Sequence, residues 1–261
     1  MAVEHKKLHE IFEISRSSLY YKSKKYEEDL KVKEKIEKVW SDFPSYGHKR
    51  LATALLLNKK RILRVMKRFN LKPYRRHRKP FKRSGTKELS VYPNLLPITI
   101  LVKINQIWVT DFTYLWYKNR FIYVATVIDI WNREVVGVCV LTNHSSALVV
   151  QALVSALMDH PKPDIVHSDQ GGEYTAKIFQ DFCISSGIKI SMSEKGSPWQ
   201  NGYQESFYDK FKIDLGDPNR FDTLGELVYE IYRTIYIYNT TRIHTSLKMS
   251  PREFALKNQL R

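Results

Sequence analysis

The sequence predicts a mixed α/β domain preceded by a smaller, all-helical and strongly basic region. Three observations predict it. From about residue 105, runs rich in β-branched and aromatic residues alternate with helix-period segments, in the order strand, strand, strand, helix, strand, helix, strand, helix. Ahead of that, apolar residues recur at helical spacing. The charge divides near the same place: residues 1–83 hold 25 Lys and Arg against 9 Asp and Glu, a net +16, whereas residues 84–261 hold 18 of each.

The first third reads as short helices. Leu8, Ile11 and Phe12 have helical spacing, and "ISRSSLYYKSK" offers Ser15 as the cap of a second short helix. Two short helices across a tight turn, the second rich in Arg, Ser and Lys, resemble a helix-turn-helix over residues 1–25. Residues 26–83 form a basic helical region. A helix over about 28–42 carries Leu30, Ile36, Val39 and Trp40, and "FPSYG" breaks it. "HKRLATALLL" is a short helix. Asn58 can cap "KKRILRVMKRF", with Ile62, Val65, Met66 and Phe69 facing inward and Lys60, Arg64, Lys67 and Arg68 on the other side. "KPYRRHRKPFKR" has seven cations in twelve residues and two prolines, which suits a basic linker lying along phosphates. Such a segregated excess points to a polyanionic partner, with nucleic acid ahead of an anionic membrane. Arg16, Lys60, Arg64, Lys67, Arg75, Arg76 and Arg78 are the candidate phosphate contacts in this region.

A chain of 261 residues with 43% hydrophobic content can bury a proper core. Cys139 and Cys183 lie far apart in apolar segments with no metal-type spacing, as expected of buried thiols in a reducing compartment. "MAVEHKKLHE" has no apolar signal region, and the apolar stretch around Ala147–Met158 is too short to span a bilayer. The expectation is a soluble, cytoplasmic protein.

Residues 84–104 read as a linker, residues 105–220 as the α/β core, and residues 221–261 as a C-terminal helix and tail. "QIWVTDFTYLWY", "FIYVATVIDI" and "REVVGVCVLT", joined by short turns at Lys118–Asn119 and Trp131–Asn132, form an antiparallel meander. Then follow a helix over 145–159 stopped by Pro161 and Pro163, the strand "DIVHSD", a turn, a helix through Cys183 ending at Gly187, and the strand "IKISMS". Ser197 and Pro198 suit the start of a last core helix, where Tyr203, Phe207, Phe211 and Leu215 form an apolar stripe. Leu227, Ile231, Ile235 and Tyr238 share one face of a long helix that covers the sheet.

Three acids stand out. Asp111 and Asp169 end strand-like runs, and Glu205 lies more than about 100° from the apolar stripe of its helix. Each also has an ordinary reading, as a turn residue or a solvated helix charge. If the first and fourth strands are neighbours, a helix packed on the sheet brings the three together. Carboxylates that close repel one another, and a divalent cation removes the penalty. Oxygen ligands without Cys or His favour Mg²⁺, with Mn²⁺ as a substitute. Asp129, at the end of "VATVID", is read as a structural acid, and His167 as a packing histidine or a neighbour of Asp169.

With 35 residues between Asp169 and Glu205, and the words "WVTDFTY", "HSDQGGEYT", "GIKISMS", "SPWQNGYQES" and "YNTTRIHTSLKMSPREF", the chain resembles the catalytic cores of retroviral integrases and bacterial transposases. "ISRSSLYY", "YGHKRLATAL" and "RILRVMKRFNLKP" resemble the downstream reading frame of the insertion-sequence-three family. Gln170 and Gly171 replace the common Arg and Ser, and Glu173 stands where Gln is frequent. The resemblance implies an RNase H-like five-stranded mixed sheet and a DDE transposase with Asp111, Asp169 and Glu205 as catalytic metal ligands for two Mg²⁺ ions. It also implies cleavage at transposon ends followed by strand transfer into target DNA. Double-stranded DNA is then the partner, with a homo-oligomer on it and an upstream-frame protein or fusion as further partners. Lys212, Asn201 and Gln204 would touch DNA near the acids, and Arg242 and His244 would help to place it. A plain nuclease and a DNA-binding protein without catalysis are the alternatives.

Overall fold

The structure is a computed structural model that describes residues 15, 25–75, 92–194 and 197–259. The expected helix-turn-helix of residues 1–25, Arg16, Arg76, Arg78 and most of the basic run up to residue 83 lie outside the described residues. In the core, the three β-rich runs form strands β1 (Ile107–Tyr117), β2 (Arg120–Asp129) and β3 (Val135–Leu141). Their side chains alternate between two apolar layers, so both faces of the meander must be covered. Lys118 and Asn119 have φ values of 39° and 68°, which suits the two-residue primed turns whose twist matches that of the strands they join.

Helix α4 (Ser146–Asp159) returns the chain to β4 (Ile165–Ser168), and helices α5 (Gly172–Thr175) and α6 (Lys177–Ser185) lead to β5 (Lys189–Met192). The five-stranded sheet has the order β3-β2-β1-β4-β5. β1–β2 and β2–β3 are antiparallel, and β1–β4 and β4–β5 are parallel, which makes β1 and β4 neighbours. This is the mixed α/β class expected.

Helices lie on both faces. Trp108, Ala125, Val127 and Val166 pack with Leu148, Ala152 and Ala156 of α4 and Phe179 and Cys183 of α6. On the other face Ile107, Val109, Val124 and Ile165 meet helix α7 (Gly202–Leu215) and helix α8 (Leu224–Thr240). Leu227, Ile231, Ile235 and Tyr238 of α8 are all buried there, so the long helix is a cover for the sheet. β3 and α4 approach very closely at Gly137, where an added Cβ would lie 2.3 Å from the Ala152 carbonyl oxygen.

Two local expectations change. The start of α7 is a 3₁₀ turn over Pro198–Asn201, and Ser197 makes no side-chain cap. Phe207, Phe211 and Leu215 are buried as the stripe requires, but Tyr203 at its head is exposed and Tyr208 takes an inward position. The second change concerns the linker. Residues 92–104 strap the β5 edge: Leu95 N–H donates to Ser191 Oγ (2.8 Å), Met192 N–H donates to Pro93 O (3.3 Å), and Leu95, Leu96 and Leu101 pack on the core. An edge strand needs such cover for its unpaired backbone groups.

The front helices α1 (Lys25–Asp42), α2 (His48–Ala54) and α3 (Lys59–Arg68) enclose a small core of Val32, Ile36, Tyr46, Leu51, Ile62, Val65 and Met66. Asn58 caps α3 by accepting from Lys60 N–H at 2.8 Å. A C-terminal segment fastens this unit to the α/β core. Ile243 packs on its apolar cluster and donates its N–H to Tyr46 Oη (2.7 Å), while Arg242 donates to Ser45 Oγ (2.8 Å) and pairs with Asp214 of α7. Helix α9 (Pro251–Gln259) follows, and Arg252 pairs with the buried Glu134. Among the described residues no helix is long and apolar enough to cross a membrane.

Candidate functional site

Register brings two of the acids together. β1 and β4 pair Ile107 with Ile165, Trp108 with Val166 and Val109 with His167. Two residues further on, Asp111 and Asp169 stand level and, by alternation, on one face. That face is the one α7 covers, because Ile107 and Val109 point to it. Asp169 follows the last residue of β4, as the sequence suggests. Asp111 does not end its strand: it sits in the middle of β1, opposite Thr126 of β2. The hairpin simply runs on past the point where β4 stops, so Asp111 is terminal only on its β4 side.

Helix α7 is bolted to the sheet at the same level. The Gln204 amide donates to Val109 O (2.8 Å) and Thr126 O (3.1 Å) and accepts from Thr126 Oγ1 (3.0 Å). Tyr208 Oη donates to the Asp111 carbonyl oxygen at 2.6 Å and bonds Thr126 Oγ1 at 2.9 Å. Glu205, next to Gln204, is exposed in the first turn of α7. The Asp111 carboxyl is pushed up to about 8, first by burial, then by the negative charges of Asp169 and Glu205, against the Phe112 N–H and the Lys212 charge. Asp169 is raised by burial and by Glu173, and the Gly171 N–H opposes this with a 2.9 Å hydrogen bond. Its turn role and its place among the acids coexist.

The donor set is all oxygen, and a divalent cation would offset both the burial and the neighbouring negative charges that lift Asp111. Among the described residues no three His, Cys, Asp or Glu side chains stand close enough to hold an ion. The acids therefore share an electrostatic neighbourhood without forming a closed ligand cage. The Gly171 backbone comes so near that an added Cβ would lie 3.0 Å from Asp169 Oδ1 and 3.2 Å from Glu173 Oε2. Glu173 adds a fourth negative charge here, and His144 pairs with it at 2.7 Å.

The other sequence candidates separate. Gln204 is fully buried and its amide is spent on the sheet, so it does not face DNA. Asn201 is also buried, and its Oδ1 has no partner. Lys212 donates to Tyr114 O at 3.1 Å and lies over that ring. Lys60, Lys67 and Arg75 are exposed. Arg64 is exposed but tied at 2.6 Å to Asp29, which Arg68 also holds at 3.0 Å. Burial would raise the Asp29 carboxyl, and the two guanidinium groups outweigh it and hold it below its usual range. Asp129 is structural: it is buried and accepts from Asn105 N–H (2.6 Å) and Trp131 N–H (2.8 Å). His167 is buried against Ser191 Oγ at 2.8 Å, and burial lowers it to about 4, so it is a neutral packing histidine. The clamps Gln204 and Tyr208 and the close approach at Gly171 carry no periodic signal that sequence reasoning could use.

Two integrase core domain family models match residues 102–198 and 186–251. The chain is 34% identical over 240 residues to the transposase for insertion sequence element IS904 of Lactococcus lactis subsp. lactis (strain IL1403), covering 87% of this chain and 94% of that protein. It is 32% identical over 158 residues to transposase InsF for insertion sequence IS3A of Escherichia coli (strain K12), covering 59% of this chain and 55% of that one. The fold is similar to a chain of the simian T-cell lymphotropic virus intasome in complex with PP2A regulatory subunit B56 gamma, with TM-score 0.52 and 19% identity over 84% of this chain and 73% of that one. The class is therefore an integrase-core polynucleotidyl transferase. Within it, the chain belongs to the insertion-sequence-three family of DDE-type transposases, whose function is DNA transposition.

Proposed function

We propose that Asp111, Asp169 and Glu205 carry the chemistry of transposition in this chain, cleaving DNA at the transposon ends and joining the freed 3′-hydroxyl to target DNA. The observation that supports this most directly is the β1–β4 register, which leads Asp111 and Asp169 to one level of the face that α7 covers, with Glu205 in the first turn of that helix. On closing around it from their shared neighbourhood, the three carboxylates would hold Mg²⁺, replaceable by Mn²⁺, as a pair of ions. Such ions, when bound, activate the attacking oxygen and stabilise the leaving oxygen of an in-line displacement at phosphorus.

The chain's own residues prepare that site. The Phe112 N–H fixes Asp111 Oδ1 at 2.8 Å and leaves the second oxygen for a ligand. Gln204 and Tyr208 hold the Glu205 turn against β1 and β2. Lys212, close enough to oppose the rise of Asp111, places a positive charge beside the reacting phosphate. The basic front region, through Lys60 and Lys67 of α3 and Arg75 beyond it, holds duplex DNA by its phosphates. The working form is a homo-oligomer on DNA, with an upstream-frame protein as a further partner.

The test uses duplexes from the two flanks of the gene and the purified full chain. Asp111→Asn, Asp169→Asn and Glu205→Gln should each bind DNA and each abolish cleavage and joining. Activity should need Mg²⁺ or Mn²⁺ and fail with Ca²⁺, which takes more ligands in looser geometry. Activity retained by any one variant removes that residue from the site, and cleavage in EDTA overturns the metal role.

A further inference from the structure

A cleft of about 440 Å³ opens between four segments distant in sequence. Arg50 comes from α2, Arg133 from the β2–β3 turn, Tyr203 and Lys210 from α7, and Arg242 and His244 from the segment after α8. No Asp or Glu is among its lining residues. Arg50 Nε, Arg133 Nη1 and His244 Nδ1 are buried there without hydrogen-bond partners. Buried guanidinium donors are rarely left unpaired, because the desolvation cost is then uncompensated.

The arginines are held in place. The Arg133 guanidinium lies 4.2 Å from the centroid of the Tyr203 ring, and Arg50 lies 5.7 Å from that of Tyr46. Arg242 is already committed to Asp214 and Ser45, so its part is to position the cleft wall and join the front helices to α7. Burial, and then the charges of Arg133, Arg50 and Arg242, lower His244 to about 4. The imidazole is thus neutral and can accept or donate without adding charge. Guanidinium donors and a neutral imidazole around one cleft suit a compact anion with several acceptor oxygens.

We infer that this cleft seats one backbone phosphate of the DNA, gripped by Arg50 and Arg133. The inference rests on the strand-transfer reading above and adds a substrate subsite to it. Guanidinium forks match phosphate oxygens in pairs. Gly202, Tyr203, Ser206 and Lys210 of α7 line the cleft, while Glu205 projects from the adjoining face of that helix. The two sites are then about one helix diameter apart, roughly 10 Å. At about 3.4 Å of rise per phosphate along a strand, the seated phosphate lies a few nucleotides from the reacting bond. Because the walls come from both the helical unit and the α/β core, the phosphate also links the two.

The test is duplex binding by fluorescence anisotropy across a salt series, using a 20-bp duplex of arbitrary sequence. The Arg50→Gln/Arg133→Gln protein is compared with wild type and with Lys177→Gln/Lys189→Gln, an equal charge change on the α6–β5 side. One lost phosphate contact reduces the salt slope by about 0.9, equivalent to about eightfold in affinity at 0.1 M salt. The cleft variant should show that loss and the control should stay within about twofold of wild type. Equal losses in both would show a diffuse field and overturn the subsite. Ser206→Glu, at an exposed cleft position that leaves the arginines' packing intact, supplies a competing carboxylate. It should weaken duplex binding similarly and raise Tm, and unchanged binding would overturn the proposal. Inorganic pyrophosphate should compete with the duplex for wild type. Pyrophosphate that raises Tm yet leaves duplex binding unaltered would mark a small-molecule site and also overturn it. Cleft-dependent binding without any cleavage would sink the strand-transfer reading alone. Normal cleavage with no cleft effect would sink only this one.

Discussion

Replacing Gln204 by Ala removes the clamp between α7 and the sheet, and its cost follows from the geometry. The side chain is fully buried and makes three hydrogen bonds, two donated to the Val109 and Thr126 carbonyls and one accepted from Thr126 Oγ1. At about 1 kcal/mol net per bond, the loss is about 3 kcal/mol. The cavity left by the missing amide adds to it. For a chain of this size, that corresponds to a fall in Tm of roughly 6–12 °C. Urea titration with tryptophan fluorescence measures it, and the m-value should stay unchanged. Duplex affinity of the folded variant should remain within about twofold of wild type, because the amide faces the sheet, while strand cleavage falls as the Glu205 turn loosens. A destabilisation below about 1 kcal/mol, combined with tenfold weaker DNA binding, would refute the clamp and return Gln204 to the DNA surface.

Further outcomes follow from other contacts. Asp129→Asn keeps one acceptor oxygen for two N–H donors, so it should cost about 1–3 kcal/mol while leaving cleavage by the folded protein intact. Asp129 is pushed up to about 6, chiefly by burial, from an ordinary 3.8. The folded state therefore holds the proton more tightly than the unfolded one. This acid's contribution is full below about pH 4 and lost as pH rises through about 6, so the penalty of Asp129→Asn should shrink over that window in paired urea titrations. Gly137→Ala drives a methyl into the α4 backbone at Ala152, and should cost at least about 1–3 kcal/mol by thermal melting. Arg242→Met strands the largely covered Asp214 carboxylate and should cost about 3 kcal/mol, whereas a double change to Met at 242 and Leu at 214 should recover much of it.

The sequence alone determined the order of elements and the sheet's two-faced strands, and it singled out the three acids on which the proposed function rests. Those signals are local: period-two runs such as "IWVTDFTY", helical stripes such as Leu227 to Tyr238, and the 35-residue spacing between Asp169 and Glu205. The burial of the α8 stripe and of Asp129 accords with that reading. Tertiary structure alone decided what each polar group faces. It placed Asp111 in mid-strand, because strand length depends on the partner strand and β4 stops before β1 does. It turned Gln204 inward to two strand carbonyls, and tied Arg64 to Asp29, 35 residues away. It converted a loop-like linker into the strap along β5. It also gathered Arg50, Arg133, Arg242 and His244, from segments with no common pattern, around one cleft. Hydrophobic periodicity records which side of an element is buried. The partner of a charge or an amide is set by groups brought near only when the layers pack, and no local pattern carries that information.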